Sequence, residues 1–481
     1  MFASALDEAR VLIMRQEYGA AIPKLTNFLN GDFWHSEALF MLGGCFSAQG
    51  MNGLSAVVTS AAIQAREAQN GRPFPEALTN LGCNYRNAFK NDMAEKFWLE
   101  ALKHEKLPKA QSGILSNMAA LFLYEGQPDR AIEYADKAIA LDPANTKALA
   151  NRGIAYLEKG EWAEGWKGWR YTNMTGDRPK VVYGNLPEWD GTPGQTVIVH
   201  GDQGIGDEIF FASALPDMQR VCKKVILDCH PRLPELFQRS FPDIEVHGTR
   251  KDLTELDWFE GCGADATIAL SDLFGFFRLK EGDWPGASYL NADPYERAVA
   301  RQLTAASGGS DPMRIGISWT GGTSLTRQHL RSIPIDRLEP ILRARPDAQW
   351  FSLQYTEDAA RQICEMEERT GIRIAHFPTW VESIGYGPSY RYDQTATLVA
   401  SLDLVISVPT TVHHLAGALG VPNWLMVQSK PDWRCQLKGS TLPWYKSTKV
   451  YRQEADGDWF GPIAWVAQDL EAFDPLNAKA A

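Results

Sequence analysis

Basic charge, paired cysteines and long apolar runs are all scarce in this sequence. Lys and Arg number 48 against 59 Asp and Glu, a net charge of −11. Coating nucleic acid or an anionic membrane takes clustered cations, so this balance weighs against both, while leaving room for a local basic groove. The seven cysteines, Cys45, Cys83, Cys222, Cys229, Cys262, Cys364 and Cys435, are odd in number and scattered. No two have C-x-x-C spacing, which points away from a disulfide frame or a zinc site and toward reduced thiols in a cytosolic protein. No run of 18 apolar residues exists, so no segment reads as a membrane span. The opening M-F-A-S-A-L-D-E-A-R lacks the basic start of a signal peptide.

What is present is ordinary globular material arranged in more than one piece. Apolar residues make up 44% and charged residues 22%, enough to build packed cores. At 481 residues the chain exceeds a single core, and about 150 residues per domain predicts three units.

The first unit repeats. Ser116 to Pro143, S-N-M-A-A-L-F-L-Y-E-G-Q-P-D-R-A-I-E-Y-A-D-K-A-I-A-L-D-P, is followed in phase by A-L-A-N-R-G-I-A-Y-L-E-K-G-E-W. Small residues recur at Gly43, Gly82, Ala119 and Gly153, and an aromatic follows each three positions later, at Phe46, Tyr85, Phe122 and Tyr156. Units starting near residues 2, 36, 75, 112 and 146 resemble tetratricopeptide repeats, with Ala94 or Ala131 on the second helix and Pro143 closing a unit. A helical hairpin of this kind cannot bury its apolar face alone, so stacked units form a solenoid with a concave groove. The recurring aromatics read as core. Asn80, Asn84, Asn117 and Asn151 recur on the first helices and fit either a peptide-backbone contact or a solvent-exposed or capping role.

After the tryptophan-rich E-W-A-E-G-W-K-G-W-R, a Pro- and Gly-containing connector leads to a different pattern. Apolar runs T-V-I-V-H, K-V-I-L-D-C, D-I-E-V-H and A-T-I-A-L alternate with helical segments. A second series comprises R-I-G-I-S-W, W-F-S-L-Q, I-R-I-A-H-F, D-L-V-I-S-V and N-W-L-M-V. Between them lies a polar hinge, Ala305 to Pro312. Such alternation predicts parallel sheets covered by helices, here two Rossmann-like lobes with a site at the carboxyl ends of their strands. The expected limits are a repeat solenoid over 1–170, a connector over 171–195, lobes over 196–304 and 313–470, and a tail over 471–481.

Two strand ends carry chemistry. H-G-D-Q-G-I-G-D-E-I follows the first strand and packs Gly201, Gly204 and Gly206 together with Asp202, Asp207 and Glu208. The glycines let backbone approach a ligand, but the loop lacks the lysine of a phosphate loop and its acids repel phosphate. An acid there suits proton abstraction from an incoming hydroxyl, and Asp207 equally fits a helix N-cap. In the second lobe, V-P-T-T-V-H-H-L-A-G-A-L-G sets Thr410 and Thr411 beside the free N–H groups of a helix start, which fits a diphosphate. Thr410 also fits a simple N-cap, and His414 a packing histidine.

The motifs G-D-Q-G-I-G-D-E-I, R-I-G-I-S-W-T-G-G, R-S-I-P, F-S-L-Q, D-Q-T-A-T-L-V-A-S-L-D-L-V-I-S-V, T-T-V-H-H-L-A-G-A-L-G-V-P, D-W-R and P-W-Y occur in an order that resembles tetratricopeptide-linked bacterial glycosyltransferases. These are similar to the lipopolysaccharide heptosyltransferases and, more distantly, to the protein O-GlcNAc transferases. The resemblance covers residues 196–470, and with the repeats nearly the whole chain. It implies a GT-B fold, with the acceptor on the first lobe and a nucleotide-sugar donor on the second. Transfer would be inverting and metal-independent, with the nucleotide sugar as substrate and no further cofactor. Asp207 falls on the family's proposed base, and Thr410, Thr411 and His414 on its diphosphate helix. Arg327 and Arg331 fall where a cation meets the phosphates, or else on a solvated loop. Gly204 and Gly206 line the acceptor loop, while Gln354 either edges the donor base or caps the core. Heptosyltransferases usually carry Asp just before the threonine, where this chain has Pro409. Asp456 and Asp458 form a D-x-D pair too common to imply a metal. A protein acceptor presented by the repeats is the leading expectation. A saccharide, lipid or modified nucleic-acid acceptor, and a degenerate scaffold, are the alternatives.

Overall fold

In the computed structural model, residues 2–475 are described except 177, 179–182, 250–257, 260, 304–311, 323–327 and 377–391. The chain divides into two compact units, 1–156 and 157–481.

The first unit is a solenoid of paired helices: α1 (Phe2–Met14), α2 (Tyr18–Gly31), α3 (Ser36–Ala48), α4 (Asn52–Asn70), α5 (Pro75–Asn87), α6 (Asn91–His104), α7 (Pro108–Tyr124), α8 (Pro128–Leu141) and the start of α9 (Thr146–Glu158). The recurring small residues sit where helices cross. A Cβ on Gly43 would collide with Thr59 Oγ1, and one on Gly82 would lie 2.5 Å from the indole of Trp98. Trp98 is fully buried and donates its Nε1–H to Thr79 O at 3.0 Å, so its large apolar area is buried without an orphaned donor. Three of the recurring asparagines join one repeat to the next. Asn84 Nδ2 donates to Ser55 Oγ at 2.8 Å, Asn117 Nδ2 to Cys83 Sγ at 3.7 Å, and Asn151 Nδ2 to Ser116 O at 3.0 Å. These amides are engaged by the neighbouring helix, a third role beside the two weighed from sequence.

The second unit holds two parallel sheets. The first contains β1 (Thr196–His200), β2 (Lys224–Asp228), β3 (Glu245–His247) and β4 (Ala266–Ala269), in the order β3-β2-β1-β4. The second contains β5 (Arg314–Ser318), β6 (Gln349–Ser352), β7 (Ile374–His376), β8 (Leu404–Ser407), β9 (Asn423–Val427), β10 (Thr441–Leu442) and β11 (Tyr445–Arg452). Its order is β10-β11-β9-β8-β5-β6-β7, with β10 antiparallel to its neighbour. The apolar runs read from sequence became β1 to β9; central strands such as β1, β5, β8 and β9 are buried along their whole length, while the edge strands β3 and β7 are only partly buried. β11 escaped that reading: Y-K-S-T-K-V-Y-R mixes buried and open positions and carries three basic residues. Two Rossmann-like lobes of this kind are the GT-B plan.

Strand order reverses between β1 and β4 in one lobe and between β5 and β8 in the other, which opens a crevice at each carboxyl edge. The tryptophan-rich helix Trp162–Trp169 joins the two lobes. Trp166 packs on Phe274 of the first lobe and Trp433 of the second, with ring centroids 5.5 and 5.4 Å apart. Trp162 reaches Trp284 and Trp444 in the same way, and Trp166 Nε1 donates to Arg278 O at 2.7 Å. This helix therefore packs on both lobes.

Candidate functional site

The corner after β1 runs into the short helix Ile205–Phe211, and its three acids have three different tasks. Asp202 is buried and accepts from Arg178 Nη1 at 2.6 Å and from Ser271 Oγ at 2.7 Å. Arg178, fully buried, also reaches Asp272 at 2.9 Å and Thr172 Oγ1 at 2.6 Å, so the buried charges are paired. Glu208 is buried and accepts the backbone N–H of His230 at 2.7 Å, tying the corner helix to the end of β2. A Cβ on Gly201 would collide with that carboxylate, which is why the corner needs glycine there. Asp207 differs. Its Oδ2 accepts the Gly204 N–H at 3.2 Å, capping the helix, and 31% of its side chain remains open.

A second helix start meets this corner. β8 ends at Ser407, and the helix Thr411–Leu419 follows Pro409 and Thr410. Thr410 is its N-cap, with Oγ1 accepting the Val412 N–H at 3.1 Å. Its first turn contains no acidic residue, so the helix dipole and the N–H groups not used by the cap favour an anion. Gly206 is the glycine this meeting requires: a Cβ there would stand 3.0 Å from Thr411 Oγ1 and 3.1 Å from its Cα. Gly204 is less constrained, since a Cβ would meet only Asp207 Oδ2 at 3.4 Å. On the far side, a Cβ on Gly321 would strike the carbonyl of Pro409.

His414, on the helix Thr411–Leu419, lies over Phe210 with centroids 5.2 Å apart, and its Nδ1 is 3.2 Å from Tyr445 Oη. Burial, then the neighbouring His413, Arg434 and Arg331, hold its imidazole well below its ordinary pKa, so it is neutral at physiological pH. Tyr445 in turn lies 3.3 Å from Tyr289 Oη, which donates to Ile209 O at 2.8 Å. Arg331 thus belongs to the electrostatic surroundings of His414, as well as of Cys435. Arg327 lies outside the described residues.

Gln354 is 1% exposed and braces the end of β5. Its Oε1 accepts from Ser318 Oγ, Trp319 N and Thr320 N at 3.1, 3.0 and 2.9 Å, and its Nε2 donates to Thr320 O at 3.2 Å. The core-cap alternative describes this geometry. Asp456 and Asp458 diverge: the first pairs with Lys430 at 2.9 Å, while the second accepts the Phe460 N–H at 2.9 Å.

Sequence reasoning missed Arg434, although D-W-R was one of the ordered motifs. Its Nη2 stands 3.0 Å from Asp207 Oδ1 and donates to Gln203 Oε1 at 2.9 Å. Burial pushes the Asp207 carboxyl above its ordinary pKa, and Arg434 is the cation that opposes the shift. The site therefore gathers an acid, two arginines, a neutral histidine and a helix start from both lobes. Among the described residues, no helix is long and apolar enough to cross a membrane.

No protein-family model matches the chain. Protein FlbA of Caulobacter vibrioides is 25% identical over 452 residues, covering 83% of this chain and 73% of FlbA. Photosystem I assembly protein Ycf3 of Acaryochloris marina is 36% identical over 81 residues, which is 17% of this chain. The chain spans less than half the length of the Ycf3 proteins it matches, 45% in that case. Among solved structures, a glycosyl transferase family 9 protein from Veillonella parvula is 11% identical, covers 59% of this chain and 98% of its own, and has a TM-score of 0.44. YrrB, a TPR protein with an unusual peptide-binding site, is 16% identical, covers 36% of this chain and 91% of its own, and has a TM-score of 0.29.

Proposed function

We propose that the two lobes form a glycosyltransferase that moves a sugar from a nucleotide-sugar donor to a hydroxyl of a protein acceptor delivered by the repeats. One observation carries the reading: Asp207 stands at a corner in contact, through Gly206, with an acid-free helix start. In the reaction, the acceptor O–H gives its proton to the Asp207 carboxylate while its oxygen attacks the anomeric carbon. The bond from that carbon to the diphosphate breaks, and its electron pair leaves on the diphosphate. The N–H groups of the helix start, Thr411 Oγ1 and Arg331 meet the developing charge, so the transfer is inverting and draws its charge stabilisation from the protein. His414, neutral, can donate or accept one hydrogen bond beside them.

The acceptor assignment rests on the solenoid. A concave helical array can hold an extended peptide and leave its hydroxyls free. The test is a nucleotide-sugar screen, with thermal shift for binding and mass spectrometry for transfer. Removing residues 1–106 should abolish modification of the protein acceptor while slow donor hydrolysis survives. Full transfer by the shortened chain would reduce the repeats to a docking element.

A second reading, a non-catalytic scaffold, has its own support. Both Asp207 oxygens already have partners, Gly204 N–H and Arg434, and Pro409 replaces the acid that heptosyltransferases usually carry. It predicts nucleotide binding without turnover.

A further inference from the structure

Asp207 and the guanidinium beside it come from different lobes. Arg434 belongs to the short turn Trp433–Cys435 of the second lobe, capped by Asp432, whose Oδ1 accepts the Arg434 N–H at 2.8 Å. The guanidinium lies over the rings of Trp433, Trp169 and Phe211 at 4.6, 5.5 and 5.7 Å. Its side chain is 13% exposed. A planar cation packed among three rings has few orientations available, so its fork is fixed before substrate arrives. Nη2 then spans the corner, reaching Gln203 Oε1 and Asp207 Oδ1 together.

The two contacts to Asp207 leave capacity for chemistry. Each carboxylate oxygen accepts two hydrogen bonds. Gly204 N–H occupies one site on Oδ2 and the Arg434 guanidinium forms an ion pair with Oδ1 at 3.0 Å, which restrains the carboxylate and leaves acceptor capacity on each oxygen. Around it, Asp432 and Asp202 are repulsive, but Asp202 is already paired with Arg178. His414 is neutral and Tyr445 protonated, so neither adds charge.

We propose that Arg434 is a positioning residue that holds the Asp207 carboxylate charged and in a fixed plane. Base competence then depends on closure of the two lobes. The proposal rests on Asp207 acting as the base. Because the cation is carried by the donor lobe and the base by the acceptor lobe, an opened cleft separates them. Opening also returns the carboxylate to water, where it loses the fork that fixes its orientation. Proton abstraction is thereby confined to the closed form, in which the diphosphate helix also faces the corner.

The experiment uses the full chain with two readouts, the pH dependence of transfer and the titration of Asp207 followed by 13C NMR of labelled aspartate. Asp207→Asn assigns the signal. Arg434→Gln should move the acid limb of both curves to higher pH, with about tenfold less transfer near neutral pH and recovery at alkaline pH. Arg434→Lys, which keeps the charge and loses the fork, should restore part of the shift. Asp432→Asn should move both limbs to lower pH, because it keeps the cap acceptor and removes a repulsive charge. Its side chain is 48% exposed, so it remains informative if Arg434→Gln does not fold. Unmoved limbs in folded variants, or a loss equal at every pH, overturn the proposal. If no sugar is transferred at all, the glycosyltransferase reading fails, while the NMR titration still decides whether Arg434 controls the ionisation of Asp207.

Discussion

The two corners that meet in the second unit share one geometry and have opposite electrostatics. Each is a strand running into a helix at a reversal of strand order, and each helix start has unpaired N–H groups. After β1, the first turn contains Asp207 and Glu208, and the Asp207 carboxylate accepts the N–H of the cap residue Gly204; after β8, the first turn has no acid at all. A helix start that supplies its own anion suits proton chemistry, and one that does not suits a bound anion. The composition of the first turn, rather than the fold, separates the two roles.

The sharpest way to break the contrast is Asp207→Asn. It keeps an oxygen for the Gly204 cap and should leave nucleotide affinity intact, while transfer falls by roughly 10²–10⁴, the range for losing a general base. Steady-state kinetics with a calorimetric Kd checks this. Unfolding with unchanged activity per folded molecule would instead make Asp207 a cap.

The threonines should separate next. Thr411→Val should weaken nucleoside diphosphate binding by about 1.5–3 kcal/mol, one charge-assisted hydrogen bond, with little change in melting. Thr410→Val should also lose the bond to Val412 N and cost about 1 kcal/mol of stability. Equal nucleotide affinity in folded Thr411→Val would move the diphosphate elsewhere. Gly206→Val drives the corners apart, and overpacking of this kind costs about 1–3 kcal/mol. Denaturant titration should show the loss, and an unchanged midpoint would mean that the helix starts do not touch in solution.

The smallest effect is a pH dependence. Burial pushes the His413 pKa down to about 3, and His414 is also held well below its ordinary value. Both stay neutral in the folded protein and take up protons on unfolding, so their stabilisation is present above pH ~6.5 and is lost as pH falls. Between about pH 7 and 5.5 the pair should remove up to about 2 kcal/mol of stability. Calorimetry of His413→Asn beside the parent would show a weaker acid dependence if this is correct.

Sequence alone determined whatever depends on neighbours in the chain. Small residues and aromatics three positions apart marked the first helices of the repeats, and short apolar-rich runs marked β1 to β9. The glycines before Asp207 and the threonines before Val412 marked two helix starts, because capping is local chemistry. Tertiary structure alone decided which polar groups meet. Asp202 found Arg178, Gln354 turned back onto residues 318–320, three recurring asparagines bound adjacent repeats, and Arg434 reached Gln203 from 231 residues away. β11 was equally opaque, since its exposed Lys446 and Lys449 argue against a strand until the fold shows which positions face outward. A hydrogen bond is directional and only about 3 Å long, so a sequence shows which side chains can make one but not which partner the folded chain brings within reach.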